Sequence, residues 1–159
     1  MTSSDKQAIL PANYTYTTAD AGVHTFAITL RTASTPSVTA TDVATPTLTG
    51  LTWIATTAGT ASSLNITGLT TTLSAGVTQT FTVTAKDAFG NKATSYTGLV
   101  HFLSSDALAI LPPDYLFTAA DAGSHTFQVT FKTSGLDTIS PSDLTDPTIL
   151  GTVTSVTAS

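Results

Sequence analysis

Neither cysteine nor glutamate occurs anywhere in the chain. The first absence excludes disulfides and thiolate metal sites. The second leaves only aspartate for the carboxylate pairs that glycoside hydrolysis uses. Charge of either sign is scarce, at 9% of residues, and only five lysines and arginines are spread over 159 positions. Binding through neutralised phosphates needs a basic patch, so nucleic acid is excluded as a partner. No apolar run approaches the roughly 18 residues of a membrane-crossing helix, and no membrane insertion is expected. The opening "MTSSDKQAIL" lacks a basic stretch followed by an apolar one, so no signal peptide is read in it. No nucleophile-elbow spacing occurs, and no D-x-D-x-D-G loop.

What fills the space is threonine, with alanine, serine and valine, at 41% hydrophobic residues, a net charge of −5 and a pI near 4.6. Threonine and valine are β-branched and suit a half-buried pleated surface. The long polar residues that dress exposed helices are nearly missing. Composition therefore predicts an all-β protein with enough apolar content for a packed core.

The chain also repeats itself. "TTADAGVHTF" at 17–26 returns as "TAADAGSHTF" at 118–127. A shift of 101 residues places Ser3 on Ser104 and Gly50 on Gly151 without a gap, and about 22 of the 48 aligned pairs are identical. Asp5 falls on Asp106, Tyr14 on Tyr115, and Asp42 on Asp143. Residues 62–103 have no earlier counterpart. The sequence thus divides into the second half of one repeat (1–50), a connector (51–61), a whole repeat (62–151) and the start of a further connector (152–159). Such a register resembles a slice through a longer tandem array.

Alternation with period two marks the strands. Phe81, Val83 and Ala85 share one face against Thr80, Thr82 and Thr84; Val100 and Phe102 oppose Leu99, His101 and Leu103; Phe127, Val129 and Phe131 oppose Thr126, Gln128 and Thr130. Phe26, Ile28 and Leu30 repeat that last pattern, and Val38 and Ile139 complete the two sets. Turn-forming clusters at 74–76, 87–91, 112–114 and 134–135 separate the runs. Six or seven short strands so punctuated predict an antiparallel sandwich, in about one and a half copies.

Three motifs carry a resemblance: the turn T-x-x-D-x-x-G-N at Thr84–Asn91, the strand G-x-V-x-F-x-S-S-D at Gly98–Asp106, and the corner F-T-x-x-D-x-G-x-H-x-F at Phe117–Phe127. They resemble the bacterial immunoglobulin-like repeats of large surface and adhesin-like proteins. The resemblance implies an immunoglobulin-like fold, an extracellular or cell-surface setting, and the work of a non-catalytic spacer or stalk. Neighbouring repeats would be its partners. A homo-polymer built by strand exchange between chains is the alternative, and a glycan-binding module with Trp53, Tyr14, Tyr16, Tyr96 and Tyr115 as its platform is a second.

No residue is assigned to catalysis, cofactor binding or metal binding. The Asp/His corner offers a carboxylate and an imidazole, but its presence in both copies suits a turn better than a centre. Asp87, Asp106, Asp114, Asp121, Asp143 and Asp146 fall at strand ends, where the competing use is an interdomain Ca2+ site. His24, His101 and His125 make no metal set within one repeat. Lys86 and Asn91 flank a single turn, which suits turn chemistry rather than a cross-sheet covalent bond. Trp53 is expected to pack at the junction of repeats. Asn13 and Asn65 open N-x-T triplets. Residues 1–50, cut from their first half, would leave Phe26, Ile28 and Leu30 without a partner and are expected to order only through a neighbour.

Overall fold

The computed structural model describes every residue, Met1–Ser159. It separates into two compact units, Met1–Thr57 and Ala58–Ser159. The boundary lies inside the stretch read as a connector, and shifted by one repeat it falls at Ala158.

Unit 1 holds three strands: β1 (Thr2–Ser3), β2 (Ser37–Thr41) and β3 (Thr49–Trp53), in the antiparallel order β1-β2-β3. Unit 2 holds nine: β4 (Ser63–Thr67), β5 (Thr72–Leu73), β6 (Thr78–Lys86), β7 (Leu99–Ser104), β8 (Tyr115–Leu116), β9 (Ser124–Thr130), β10 (Gly135–Asp143), β11 (Leu150–Gly151) and β12 (Thr154–Ala158). One layer is β4-β6-β9, and the other is β8-β7-β10-β12 with β5 on its edge. The first strand region serves both layers: β4 pairs antiparallel with β6, whereas β5 runs parallel to β12. This arrangement is an immunoglobulin-like sandwich. Its two short parallel pairs, β4–β11 and β5–β12, depart from the wholly antiparallel expectation.

Alternation places the core where the sequence predicts it. Phe81, Val83, Ala85, Val100, Phe102, Phe127, Val129, Phe131 and Ile139 are all buried. The rings of Phe81, Phe102 and Phe127 meet at 4.9–5.8 Å between centroids. Full burial of each ring contributes about 1.5–3 kcal/mol before the loss of chain entropy. On the outer face, Thr78–Thr130, Thr82–Thr126 and Thr84–Ser124 meet hydroxyl to hydroxyl at 2.8–3.3 Å. Threonine thus serves as the cross-strand pair of this sheet.

The edges of the repeat lie elsewhere than the sequence placed them. The stretch 152–159, read as a connector, contains β12, which pairs with β10 and buries Val156 and Ala158. The corresponding stretch of unit 1 begins in β3. The two copies of this last strand pair differently. In unit 1, β2 and β3 form an unbroken ladder from Thr41↔Thr49 to Ser37↔Trp53. In unit 2, Ser142 pairs with Leu150 but Ile139 pairs with Thr154, so the last strand carries one extra residue, a β-bulge. Two differences account for it. Pro141 stands where unit 1 has Ala40 and has no N–H for a ladder. Strand β4 also draws β11 to itself, accepting the Thr152 N–H at the Leu64 carbonyl, and unit 1 has no such strand. One residue of slip reverses which side chains face inward.

Candidate functional site

The motif that both copies share builds a corner. In unit 2, Thr118 is the extended residue before a single 3-10 turn, Ala119–Asp121. The Asp121 carboxylate reaches back to accept the Thr118 N–H at 2.7 Å and its hydroxyl at 2.8 Å. Its other oxygen lies 2.7 Å from His125 Nδ1 and accepts the Tyr115 hydroxyl at 3.2 Å. The Tyr115 and His125 rings stack at 4.0 Å. Unit 1 repeats the set with Thr17, Asp20, His24 and Tyr14, whose ring stacks on His24 at 3.7 Å. Ala122 and Ala21 take the left-handed conformation at φ 45° and 48°, and the glycines beside them also have positive φ. Gly123 is needed for a further reason: a Cβ there would meet the backbone of Ala93. Hydrogen bonds from the Thr118 backbone, the Thr118 hydroxyl and His125 hold the Asp121 carboxyl well below its ordinary range. The same Thr17 contacts hold Asp20 at about 2. A carboxylate so occupied braces the corner.

Other aspartates work likewise. Asp106 accepts the N–H groups of Leu108, Lys132 and Thr133 and the Thr133 hydroxyl, fastening the loop after β7 to the end of β9. Asp5 makes the same set with Gln7, Arg31 and Thr32. Burial would raise the Asp106 carboxyl, but the bonds from Lys132 and Thr133 outweigh it and the group lies low. Asp87 closes the turn after β6 by accepting from Phe89 and Asn91, and also accepts the Gly59 N–H at 2.9 Å. Burial opposes its ionisation, yet the Asn91 side chain and the three N–H groups hold it at about 2. Asp146 accepts from Thr148, and Asp114 sits 2.6 Å from His101 on the surface. No three His, Cys, Asp or Glu side chains come together anywhere.

The remaining candidates are dispersed. Lys86 Nζ donates to the Gly90 carbonyl, and the Asn91 side chain donates to Asp87, so both are tied within the turn. Tyr96 is buried; Tyr14 and Tyr16 stand edge to face at 5.6 Å in unit 1; Trp53 lies on β3, 64% exposed. Asn65 is in the middle of β4 and Asn13 in an exposed loop. Two partnerships escaped the sequence reading. The Asp106–Thr133 clamp recurs at identical spacing as Asp5–Thr32, a signal the repeat contained. The Tyr96–Asp143 bond, 2.7 Å long and buried, spans 47 residues and left none.

A concavity lies in unit 1. A cleft of about 750 Å³ is walled by Tyr14, Tyr16, Phe26, Asp42, Leu48 and Gly50. Their counterparts in unit 2 are Tyr115, Phe117, Phe127, Asp143, Ile149 and Gly151, and there the same space is filled. The ring of Tyr96 lies 5.1 Å from Phe117 and its hydroxyl bonds Asp143, while Phe81 packs on Phe127. Ile149 is 7% exposed where Leu48 is 67% exposed.

No family model and no curated protein matches the chain. Solved structures do. Domains 4 and 5 of the S-layer protein SbsC align with 69% of this chain and 58% of their own at 19% identity, with a TM-score of 0.45. The FdeC adhesin of Escherichia coli aligns over 68% of this chain and 34% of its own at 20% identity, TM-score 0.42. A β-glycosidase from Bacteroides vulgatus covers 95% of this chain with 20% of its own length at 10% identity, TM-score 0.52. This chain therefore spans less than two thirds of each. The likeness to the glycosidase is one of fold alone, and it agrees with the sandwich read from the strand pairing.

Proposed function

We propose that the chain is a non-catalytic spacer of an extracellular bacterial protein, built from tandem immunoglobulin-like repeats of the bacterial surface and adhesin-like type. One observation carries this reading: the two ends of the closed unit lie at opposite poles. Gly59 is held by Asp87, where β6 ends. Ser159 is held by Leu73 and Ala75, just before β6 begins. The nine residues of β6 separate them, about 30 Å at roughly 3.3 Å per residue. Each 101-residue repeat would then add that length to an array. The side chains that look chemical are consumed in holding the corner, the clamp and the turn, and the outer sheet surface is mostly neutral hydroxyl.

The test is linear growth. Chains of two, four and eight copies of Ala58–Ala158 should lengthen by about 30 Å per added copy in small-angle scattering. A maximum dimension that rises only as the cube root of mass would refute the spacer.

A second reading, a filament subunit assembled by strand exchange between identical chains, is favoured by the open face of unit 1. Light scattering separates the two: a spacer of this length stays monomeric on concentration, whereas the subunit polymerises.

A further inference from the structure

Unit 1 corresponds to the second half of a repeat, and no strand of the first-half type pairs with it in this structure. Its pairings ahead of the last strand are those of unit 2 displaced by 101 residues: Thr2↔Thr39 for Leu103↔Ser140, and Ile9↔Thr29 for Ile110↔Thr130. Besides the last strand, what differs is the stretch 23–28. In unit 2 the equivalent residues form β9, paired along its length with β6 from Thr84↔Ser124 to Thr78↔Thr130. In unit 1 they belong to no strand. Phe26, Ile28 and Leu30 are partly exposed there, whereas Phe127, Val129 and Phe131 are buried. Beside them lies the 750 Å³ cleft.

We infer that this face is a docking site for a polypeptide of the first-half type, with the sequence pattern of Ala58–Gly98, seated in the register of β6 on β9. Unit 2 states the occupant's chemistry. A strand must add to 23–28 so that a Phe81-type ring lies opposite Phe26 and a Val83-type side chain opposite His24. A Tyr96-type residue must enter the cleft and donate its hydroxyl to Asp42, as Tyr96 does to Asp143. Asp42 now accepts from Ala44 and Thr45 through Oδ1 alone, so Oδ2 is the oxygen that hydroxyl would reach. A second copy of the whole chain is a poorer occupant. Its own β4 and β6 are buried in unit 2, where Leu64, Phe81, Val83 and Ala85 are at most 1% exposed, and donation would require that unit to open.

The inference rests on the repeat reading and not on the stalk role. The probe is a synthetic Ala58–Gly98 peptide added to the 15N-labelled full chain. Capture should slow amide exchange in Val23–Ile28 by about a hundredfold or more and shift the resonances of Tyr14, Phe26 and Asp42. A peptide carrying Phe81→Asp and Val83→Asp should lose this effect, as should the chain carrying Phe26→Asp; should the latter fail to fold, the altered peptide decides alone. Unchanged exchange in 23–28, or shifts confined to 58–159, overturns the proposal. Protection of 23–28 in the peptide-free chain at high concentration overturns it too, because the occupant would then be a second copy. Failed capture beside linear growth of the concatenated repeats removes the docking site and leaves the spacer; the converse pair of results does the reverse.

Discussion

Tyr96 and Asp143, 47 positions apart, meet in the interior of unit 2, where the tyrosine hydroxyl donates to Asp143 Oδ2 at 2.7 Å. Asp143 takes its other bonds from Thr145 and Asp146, so one carboxylate closes the turn after β10 and anchors the loop before β7. Burial and the Asp143 hydrogen bond push the Tyr96 hydroxyl far above its ordinary range, keeping it a donor. Tyr96→Phe should destabilise unit 2 by about 1–2 kcal/mol in urea unfolding followed by circular dichroism. Gly98→Ala should cost more, since its Cβ would collide with both partners. If Tyr96→Phe proves the more harmful of the two, Gly98 does not pack against Tyr96 and Asp143 in solution.

Asp137 is a liability. It faces inward on β10 opposite Val156, buried, and its Oδ2 has no hydrogen-bond partner. Unit 1 places Pro36, an apolar residue, at the same point of the repeat. Asp137→Val should therefore stabilise unit 2 by about 1–3 kcal/mol, the cost of an unsatisfied buried polar group. A loss of stability would show that the carboxylate has a partner.

Acid should unfold the protein through its braces. Asp5, Asp20, Asp87, Asp106, Asp121 and Asp143 all sit below the ordinary 3.8, with Asp20 and Asp87 at about 2. A depressed folded value means that the unfolded chain takes up protons first, so the stabilisation present above pH 4 is lost as pH falls from about 4 towards 2. Melting temperatures should drop steeply in that window, and Asp106→Asn should shrink the drop. An equal decline between about pH 7 and 5 would contradict the assignment.

Equivalent phenylalanines should differ in worth. Phe127 is buried between Phe81 and Phe102, and Phe127→Ala should cost about 3–5 kcal/mol. Phe26, half-exposed against Tyr14 and His24, should cost at most about 1.5 kcal/mol as Phe26→Ala. Trp53 fluorescence reports on unit 1 and circular dichroism on the whole, so both numbers come from one denaturant series. Equal costs would mean that Phe26 is buried in solution.

The sequence by itself determined the repeat, the all-β class and the inward faces of β6, β7 and β9. Those are local properties: side chains alternate along any extended strand, and a copied corner keeps its Thr, Asp, Gly and His in place. It also read the shared corner as a turn, because both copies carry it, and the Asp of that turn finds its donors within four residues. The tertiary structure alone decided what depends on neighbours distant in the chain. The last strand forms a bulged β12 beside β4 and Pro141, and an unbroken ladder where those are missing. The same holds for Tyr96 and Asp143, and for the cleft that Tyr96 fills in one unit and nothing fills in the other. Register and cavity are set by which strands lie alongside, and a single strand's pattern contains no record of its neighbours.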